Sequence, residues 1–530
     1  MKPTLDPDPR PARTARRSAA TAGLAGMSGL TAAGAVLNMV VPVIAFPPVA
    51  IAQTLIRLPP GRFDTIFIDL LGHWALRLAV IGTAVAFVAS GLPLGLLIRR
   101  LARGDGRNPG LVGAGVFVLP WIMTVALYPS LAGHASRAVF AAVQLPLFLA
   151  AGAFAGRTYR RLATPARHMP NVPQNRSRRT FVRAATLGGA GIAVGLLDPS
   201  RFLYRRPDPG DRSLHLANVT PAAAPTPATG DAAFAAIPGL TTEITPLADF
   251  YVVNEEIIRP DIDPATWRLS IRGLVGHPVE LTHDDLLSMP AVERYQTLEC
   301  ISNPVGGDIM STQRWTGVPL ARLLERTGGM TEDAVEVVFR SVGGYSDSMP
   351  VEQALDEETL IAIGMGGNVL PRAHGFPARL LGVGTFGMKN PKWLGEIEVV
   401  GDPYDGYWER RGWTKEAIVR TMSRIDTPRD GEEVAGRVVI AGVAFAGDRG
   451  ISAVEVSADG GVTWNPAQLK TALSPLTWRL WRFDWEPTAP GDGALAVRAT
   501  DGTGAVQEAA FAEPYPSGAT GYDEVGVTVR

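Results

Sequence analysis

Cysteine is what this chain has least of: Cys300 stands alone among 530 residues. A single cysteine excludes an intramolecular disulfide framework and says nothing about the compartment. The C-x-x-C-H pattern is missing, which excludes an attached c-type haem, and no cytochrome b5-like segment is present. No G-x-G-x-x-G follows a strand to open a helix, so a dinucleotide-binding α/β domain has no support. Histidine is sparse, and only His73 falls within a long apolar run; His134 and His168 fall in or beside loops. A haem held in a helical bundle commonly takes paired axial histidines, so no haem is expected. Acidic residues are scarce early in the chain. Residues 1–215 carry 25 Lys and Arg against 8 Asp and Glu, a balance of +17, and the remainder balances at −18. The basic part is also the apolar part and lacks interleaved stacking aromatics, which points to a lipid bilayer and away from nucleic acid.

Length and composition predict several domains. Residues 1–18 are rich in Pro and Arg and read as disordered. A membrane anchor of about five spans is predicted over 19–199. The run from Ala19 to Arg57, broken by Pro42, Pro47 and Pro48, is too long for one upright span and reads as a helix to Val43 followed by a bent or re-entrant segment. Leu70–Ile98, Gly110–Tyr128, Ala135–Gly156 and the shorter Ala184–Leu197 follow. Arginines crowd the N-terminal flank, residues 99–107 and residues 157–179, while the other connections carry few. Keeping the rich loops inside leaves everything after Leu197 outside the cytoplasmic membrane. Arg77 sits near the start of its run, where snorkelling accounts for it as well as function does. Residues 200–237, rich in Pro, Ala and Thr, read as an extended tether.

Mixed α/β patterning occupies 238–423. Trp267–Gly273, Glu336–Arg340 and Leu394–Val400 read as strands, Thr282 as a helix N-cap, and Leu320–Arg326 as a helix ending before Gly328 and Gly329. Cys300 follows a short strand through Tyr295, Thr297 and Leu298 and precedes a polar, glycine-rich turn. A thiol so placed can be a buried small hydrophobe or a soft metal ligand whose partners come from a cofactor. His374 and Arg379, taken singly, read equally as a turn histidine and a surface ion-pair residue.

Three segments taken together settle more. Gln296-Thr-Leu-Glu-Cys300-Ile-Ser-Asn303, His374-Gly-Phe-Pro-Ala-Arg379 and Lys389-Asn-Pro-Lys392-Trp393 stand in the order and spacing of the sulfite oxidase family of molybdopterin enzymes, which the chain resembles from Phe250 onward. The resemblance implies an α+β molybdopterin domain and two-electron oxygen-atom transfer at molybdenum. It implies Cys300 as the thiolate ligand, with Asn254, Ser341, His374, Arg379, Asn390 and Lys392 holding the pterin. Tyr345 matches a tyrosine beside the metal. The family's oxyanion-binding arginine before the entry asparagine is Val253 here, and a second cationic position is matched by Arg449. The implied substrate is sulfite or a related sulfur compound; alternatives are a sulfoxide reductase fed by a membrane electron donor, and a non-catalytic module that keeps the fold. A separate electron donor or acceptor is required. Ser177-Arg-Arg-Thr-Phe-Val-Arg183 resembles a twin-arginine export signal, and a plain positive-inside cluster reads the same way.

Residues 424–530 show short alternating strands, at Val438–Ala444, Ala453–Ser457 and Trp478–Phe483, between turn signals. They predict an immunoglobulin-like β-sandwich. Val454–Trp464 resembles the dimerisation domain of the same family, which implies a possible homodimer.

Overall fold

The apolar runs become helices and the alternating stretches become sheets. The computed structural model describes residues 9–41, 44–56, 74–103, 107–128, 136–163, 175–197, 208–223, 225–228, 230–254 and 260–530. His73, His134 and His168 lie outside these residues, as does the side chain of Arg77. The chain divides into two compact units, one helical and one built on sheets.

In the helical unit, Pro9–Val40 is one helix. The stretch before Ala19, expected to be disordered, is helical from Pro9; prolines fit a first turn, and the Ala and Arg that follow are strong helix formers. Pro47–Leu55 forms a short separate helix where a bent segment was expected, with its prolines in the opening turn. Four helices among the described residues are long and apolar enough to cross a membrane: Thr14–Val40, Leu78–Leu101, Pro109–Ala126 and Arg137–Ala163. Five spans were expected. Asn175–Leu197 is helical but is not among the four; its first half carries Arg176, Arg178, Arg179 and Arg183.

Glycines set the helix packing. A Cβ at Gly23 would strike Gly91 and Gly95, one at Gly152 would strike Gly113, and one at Gly191 would lie 2.8 Å from the Ala32 nitrogen. Backbones approach this closely only over small residues, which is how helices pack where lipid removes the hydrophobic drive between them.

The described residues of 208–254 and 262–530 belong to the second unit. Residues 208–237, expected to be a free tether, are instead laid onto it. Asp208 accepts from the Arg372 amide (3.2 Å), Leu214 N–H donates to Gly367 (3.0 Å), and β1 (Val219–Thr220) pairs in parallel with β4 (Ala291–Glu299). Composition argued for flexibility, but backbone pairing supplies the ordering energy that short apolar side chains do not.

One sheet runs β1–β4–β5–β8–β10, where β5 is Met310–Pro319, β8 Leu360–Met365 and β10 Arg379–Leu381; β9 (Asn368–Val369) pairs with β8. A second runs β3–β2–β11–β6–β7, with β2 Arg268–Gly273, β3 Val279–Thr282, β6 Glu336–Ser341, β7 Ser346–Pro350 and β11 Leu394–Val400. Between them lies a core of Trp267, Leu269, Phe339, Ile361, Leu380, Trp393 and Ile397. Thr282 caps His283–Ser288 in a reciprocal capping box with Asp285.

The C-terminal part holds two further sheets. Strands β12 (Met422–Thr427), β14 (Val438–Phe445), β18 (Arg479–Trp485) and β17 (Gln468–Leu469) form one. Strands β13 (Glu432–Val434), β20 (Asp523–Val529), β19 (Gly491–Asp501), β15 (Ile451–Ser457) and β16 (Asn465–Pro466) form the other. One apolar core with Trp481 at its centre, completely buried, serves both.

Candidate active site

Alternation along β4 decides where Cys300 sits. The antiparallel β4–β5 ladder runs from Val292↔Gly317 to Glu299↔Met310 and stops there. Cys300 then donates its N–H to Ile309 (3.0 Å), and its carbonyl accepts from the Asn303 amide (3.0 Å). Asn303 closes the turn by accepting from the Ile309 amide (2.9 Å). The thiol is left half-buried, 3.0 Å from the Ser302 hydroxyl. The C-terminal sheets hold this strand from the other side. Ser474 donates to the Tyr295 carbonyl (2.6 Å), Trp478 N–H donates to the Thr297 hydroxyl (2.8 Å), and Arg424 donates to Gly307 (2.7 Å).

Glu299, next to the thiol, is fully buried. One oxygen accepts from Asn303 (3.0 Å) and the other has no partner among the described residues. Burial pushes its carboxyl up to about 7 from 4.5, against the opposing pull of Asn303 and Arg424. A carboxyl raised on folding makes the native state bind more protons than the unfolded one, so stability falls as pH rises from about 4.5 to 7. Glu299→Gln should flatten that part of the stability profile, measured by denaturant midpoints across pH; an unchanged slope would show that Glu299 ionises normally.

The residues expected to hold a pterin converge around Gly375. That glycine adopts φ +113° after the Arg372–His374 turn, and a Cβ there would lie 3.0 Å from the Cβ atoms of Arg379 and Lys392. His374 is buried edge-on to Phe250, centroids 5.2 Å apart. Arg379, also buried, donates to the carbonyls of His374 (3.2 Å) and Asn390 (3.3 Å) and lies 5.2 Å over the Trp315 ring. Asn390 ties the Gly387–Lys389 turn to Gly382, accepting from its amide (2.7 Å), and donates to Phe386 (3.1 Å). Lys392 donates to the Val253 carbonyl (2.7 Å) and to Asn254, drawing the Phe250–Asn254 segment onto the same surface. Ser341 ends β6 opposite Leu394; its hydroxyl accepts from Gly343 (3.1 Å).

The donor chemistry fits a molybdopterin. The described residues contain no cluster of three or more His, Cys, Asp or Glu able to hold a metal, and a lone soft thiolate is the donor a site takes from the protein where a cofactor brings the rest. Arg379 and Lys392 are cationic donors of the kind that could hold a phosphate-bearing group. The buried Thr385 hydroxyl, which has no partner among the described residues, adds a donor that sequence reading overlooked.

Tyr345 is buried, its hydroxyl 2.6 Å from the Met388 carbonyl and 3.1 Å from Asp347. Met388 adjoins Gly387, where a Cβ would lie 3.2 Å from the Glu299 carbonyl, so Tyr345 and the cysteine strand grip the same turn. Beyond Tyr345 lies a buried charged cluster that the sequence reading did not assemble. Lys389 bridges Asp347 and Glu409, each 2.6 Å away, and all three side chains are nearly inaccessible. Arg449 does not join these residues. It donates to Asp501 (2.9 Å), Val419 (3.0 Å) and Thr421 (3.2 Å), and lines a cleft of about 500 Å³ with Glu416, Arg420 and Glu508.

Comparison with known proteins follows the same division. The oxidoreductase molybdopterin binding domain matches residues 256–408, and the Mo-co oxidoreductase dimerisation domain matches 415–513. The mitochondrial sulfite oxidase of Homo sapiens is 34% identical over 309 residues, which are 49% of this chain and 56% of that protein. The sulfite oxidase of Gallus gallus is 30% identical over 312 residues, 50% of this chain and 68% of that one. Among solved structures, the sulfane dehydrogenase SoxCD of Paracoccus pantotrophus aligns with 25% identity and a TM-score of 0.45, covering 51% of this chain and 75% of that one. The chain thus spans a little over half the length of the human protein it matches.

Proposed function

The chain belongs to the sulfite oxidase family of molybdopterin-dependent oxidoreductases, and on that premise we propose a membrane-anchored enzyme that transfers an oxygen atom to or from a small sulfur compound. The observation that carries the reading is the open Cys300 thiol at the end of β4, with the His374, Arg379, Asn390 and Lys392 surface built around Gly375. The bound cofactor supplies two-electron oxygen-atom transfer; the chain supplies one thiolate, orientation and a shaped pocket. In this reading Arg379 and His374 fix the pterin, Lys392 and Asn254 close over it, and Tyr345 faces the reacting atoms.

Sulfite is the first substrate to assay, and a sulfoxide the second. Val253 places no cation at the entry position, and Arg449 is already paired with Asp501, which weakens the binding of a dianion and leaves that of a neutral sulfoxide unaffected. Steady-state rates with sulfite and an artificial electron acceptor, beside methionine sulfoxide and a reduced dye, decide between them. Turnover of neither, by protein loaded with molybdenum, would favour a binding module that keeps the fold. Electrons leave or arrive through a separate partner protein. A homodimer through an immunoglobulin-like C-terminal sandwich belongs to the same reading.

Membrane attachment rests on the four long apolar helices and on the outward Leu111, Leu119, Val85 and Val139, which are 74, 56, 54 and 51% exposed. Surfaces of that kind are not left to water. The side on which the catalytic domain stands turns on Asn175–Leu197. Its glycines pack on the first helix at Ser28, Thr31 and Ala32, which supports its running beside that helix through the bilayer. The domain then lies outside the cytoplasmic membrane, exported with its Ser177–Arg183 segment as a twin-arginine signal. A reporter fused after Arg206 should be active only outside the cytoplasm; activity inside would return the chain to four spans.

A further inference from the structure

The buried cluster behind Tyr345 is not needed to bind a pterin, and its charges do not balance. Lys389 carries one positive charge between two carboxylates, Asp347 and Glu409, each 2.6 Å from its nitrogen. With both carboxylates ionised, a net negative charge would be sealed from water, at a cost that a single proton removes. Hydrogen-bond geometry says where that proton belongs. Asp347 Oδ1 already accepts from Lys389 and from the Ser348 amide (2.7 Å). Glu409 accepts from Lys389 on Oε1 and from the Gly406 amide on Oε2, so both its oxygens are engaged as acceptors. Among the described residues, Asp347 Oδ2 meets the Tyr345 hydroxyl alone, at 3.1 Å, while that hydroxyl makes its shorter contact, 2.6 Å, to the Met388 carbonyl. A proton on Oδ2 lets Asp347 donate to Tyr345 and Tyr345 donate to Met388, so that every hydrogen has an acceptor.

We propose that Asp347, Lys389 and Glu409 form a built-in proton store whose single exchangeable proton reaches the substrate pocket through the Tyr345 hydroxyl. The proposal rests on Tyr345 facing the reacting atoms, as in the function above. One proton passes from Tyr345 Oη to Asp347 Oδ2 as a proton from a donor in the pocket replaces it on Oη; the reverse step returns it. No electrons move in this exchange, and the tyrosine ends as it began. Asp347 acts through Tyr345 and is a positioning residue.

The surroundings suit a store that empties near neutrality. Burial pushes the Asp347 carboxyl up, Lys389 opposes that and Glu409 reinforces it, to about 7. Burial also works against the Lys389 charge, but Asp347 and Glu409 outweigh it and hold the ammonium above its ordinary value. Glu416, on the following loop, acts on the same lysine's field. Arg340, on neighbouring β6, turns instead to Glu396, Glu398 and Tyr404. Tyr407 packs on the Tyr345 ring with centroids 5.6 Å apart, and the Arg411 guanidinium lies 3.6 Å over the Tyr407 ring. The cluster is therefore walled by aromatic rings, with Tyr345 as its polar outlet.

Infrared titration of the full-length holoenzyme in detergent, with tyrosine isotope-labelled, tests this without any substrate. Glu299 titrates in the same range, so the background is Glu299→Gln. The carboxylic-acid carbonyl band should be present in acid, disappear with a midpoint near neutrality, and be missing in Asp347→Asn. A tyrosine C–O band should shift with the same midpoint and stay fixed in Asp347→Asn. Glu409→Gln removes the neighbouring negative charge and should lower the midpoint by more than about one pH unit. A neutral-range band that survives Asp347→Asn, or a midpoint unmoved by Glu409→Gln, overturns the store. An Asp347 titration that leaves the tyrosine band still overturns the relay. A protein that turns over neither sulfite nor sulfoxide still gives these readings, so failure here and failure of the proposed activity are distinguishable.

Discussion

Cys300→Ser should yield a folded, membrane-extractable protein with no oxygen-atom-transfer activity. The exchange alters one half-buried atom at the end of β4, whose backbone is fixed by Ile309 and Asn303 and not by the thiol. Stability should therefore change by less than about 1 kcal/mol, as for substitutions that disturb neither core nor a buried network. The chemistry changes completely. A serine oxygen is a hard ligand with a far higher pKa than a thiol, and it cannot offer the soft anionic donor that a molybdenum site of this type uses. Outer-shell changes at metal sites cost about 10–100-fold, so loss of the ligand itself should exceed about 100-fold in turnover. Steady-state assays beside thermal unfolding check this; retained activity at the wild-type level would return Cys300 to the role of a small buried hydrophobe.

The second large effect belongs to Arg379. Arg379→Met keeps the length of the side chain but removes a fork that donates to His374 and Asn390 while lying over Trp315. Two consequences follow from the same atoms. The buried carbonyls of His374 and Asn390 each lose a donor, at about 1–3 kcal/mol for an unsatisfied buried group, so the unfolding midpoint falls. If Arg379 holds the pterin phosphate as proposed, the phosphate loses a cationic donor, so cofactor retained after purification should drop about 10–100-fold. Arg379→Lys should recover the stability only in part and the cofactor hardly at all, because a point charge does not reproduce the planar fork. Pterin fluorescence of the denatured protein, normalised to protein, reads the second effect; full retention in Arg379→Met would remove Arg379 from the cofactor site.

Sequence alone made the backbone of this site legible where local chemistry is strong. The strand before Cys300, the Thr282 cap, the Leu394–Val400 strand and the helix before Gly328 all lie where residue pattern places them. His374, Arg379, Asn390 and Lys392, which motif spacing named together, lie close to one another, each within a few residues of the Gly375 turn or paired across it. Three things were not legible. Residues 208–237 have the composition of a linker, but partners on β4 and near Gly367 order them, and such pairing leaves no local mark. Lys389, Asp347 and Glu409 are separated by tens of residues and meet only through the fold; singly, each reads as a surface charge. Arg449 occupies the expected position in the chain, but Asp501, an unremarkable residue at the end of β19, claims its guanidinium. The signal that could have found the Lys389 cluster is its place directly before Asn390 in a motif already assigned to the site.

Counting the sulfur ligands of molybdenum tests the central claim most directly. X-ray absorption at the molybdenum edge of the detergent-purified full-length protein should fit one more sulfur in wild type than in Cys300→Ser, with metal and pterin present in equal amounts in the wild type. Equal sulfur counts in the two proteins, or a well-folded wild type that takes up neither molybdenum nor pterin when the cofactor is abundant, would contradict it.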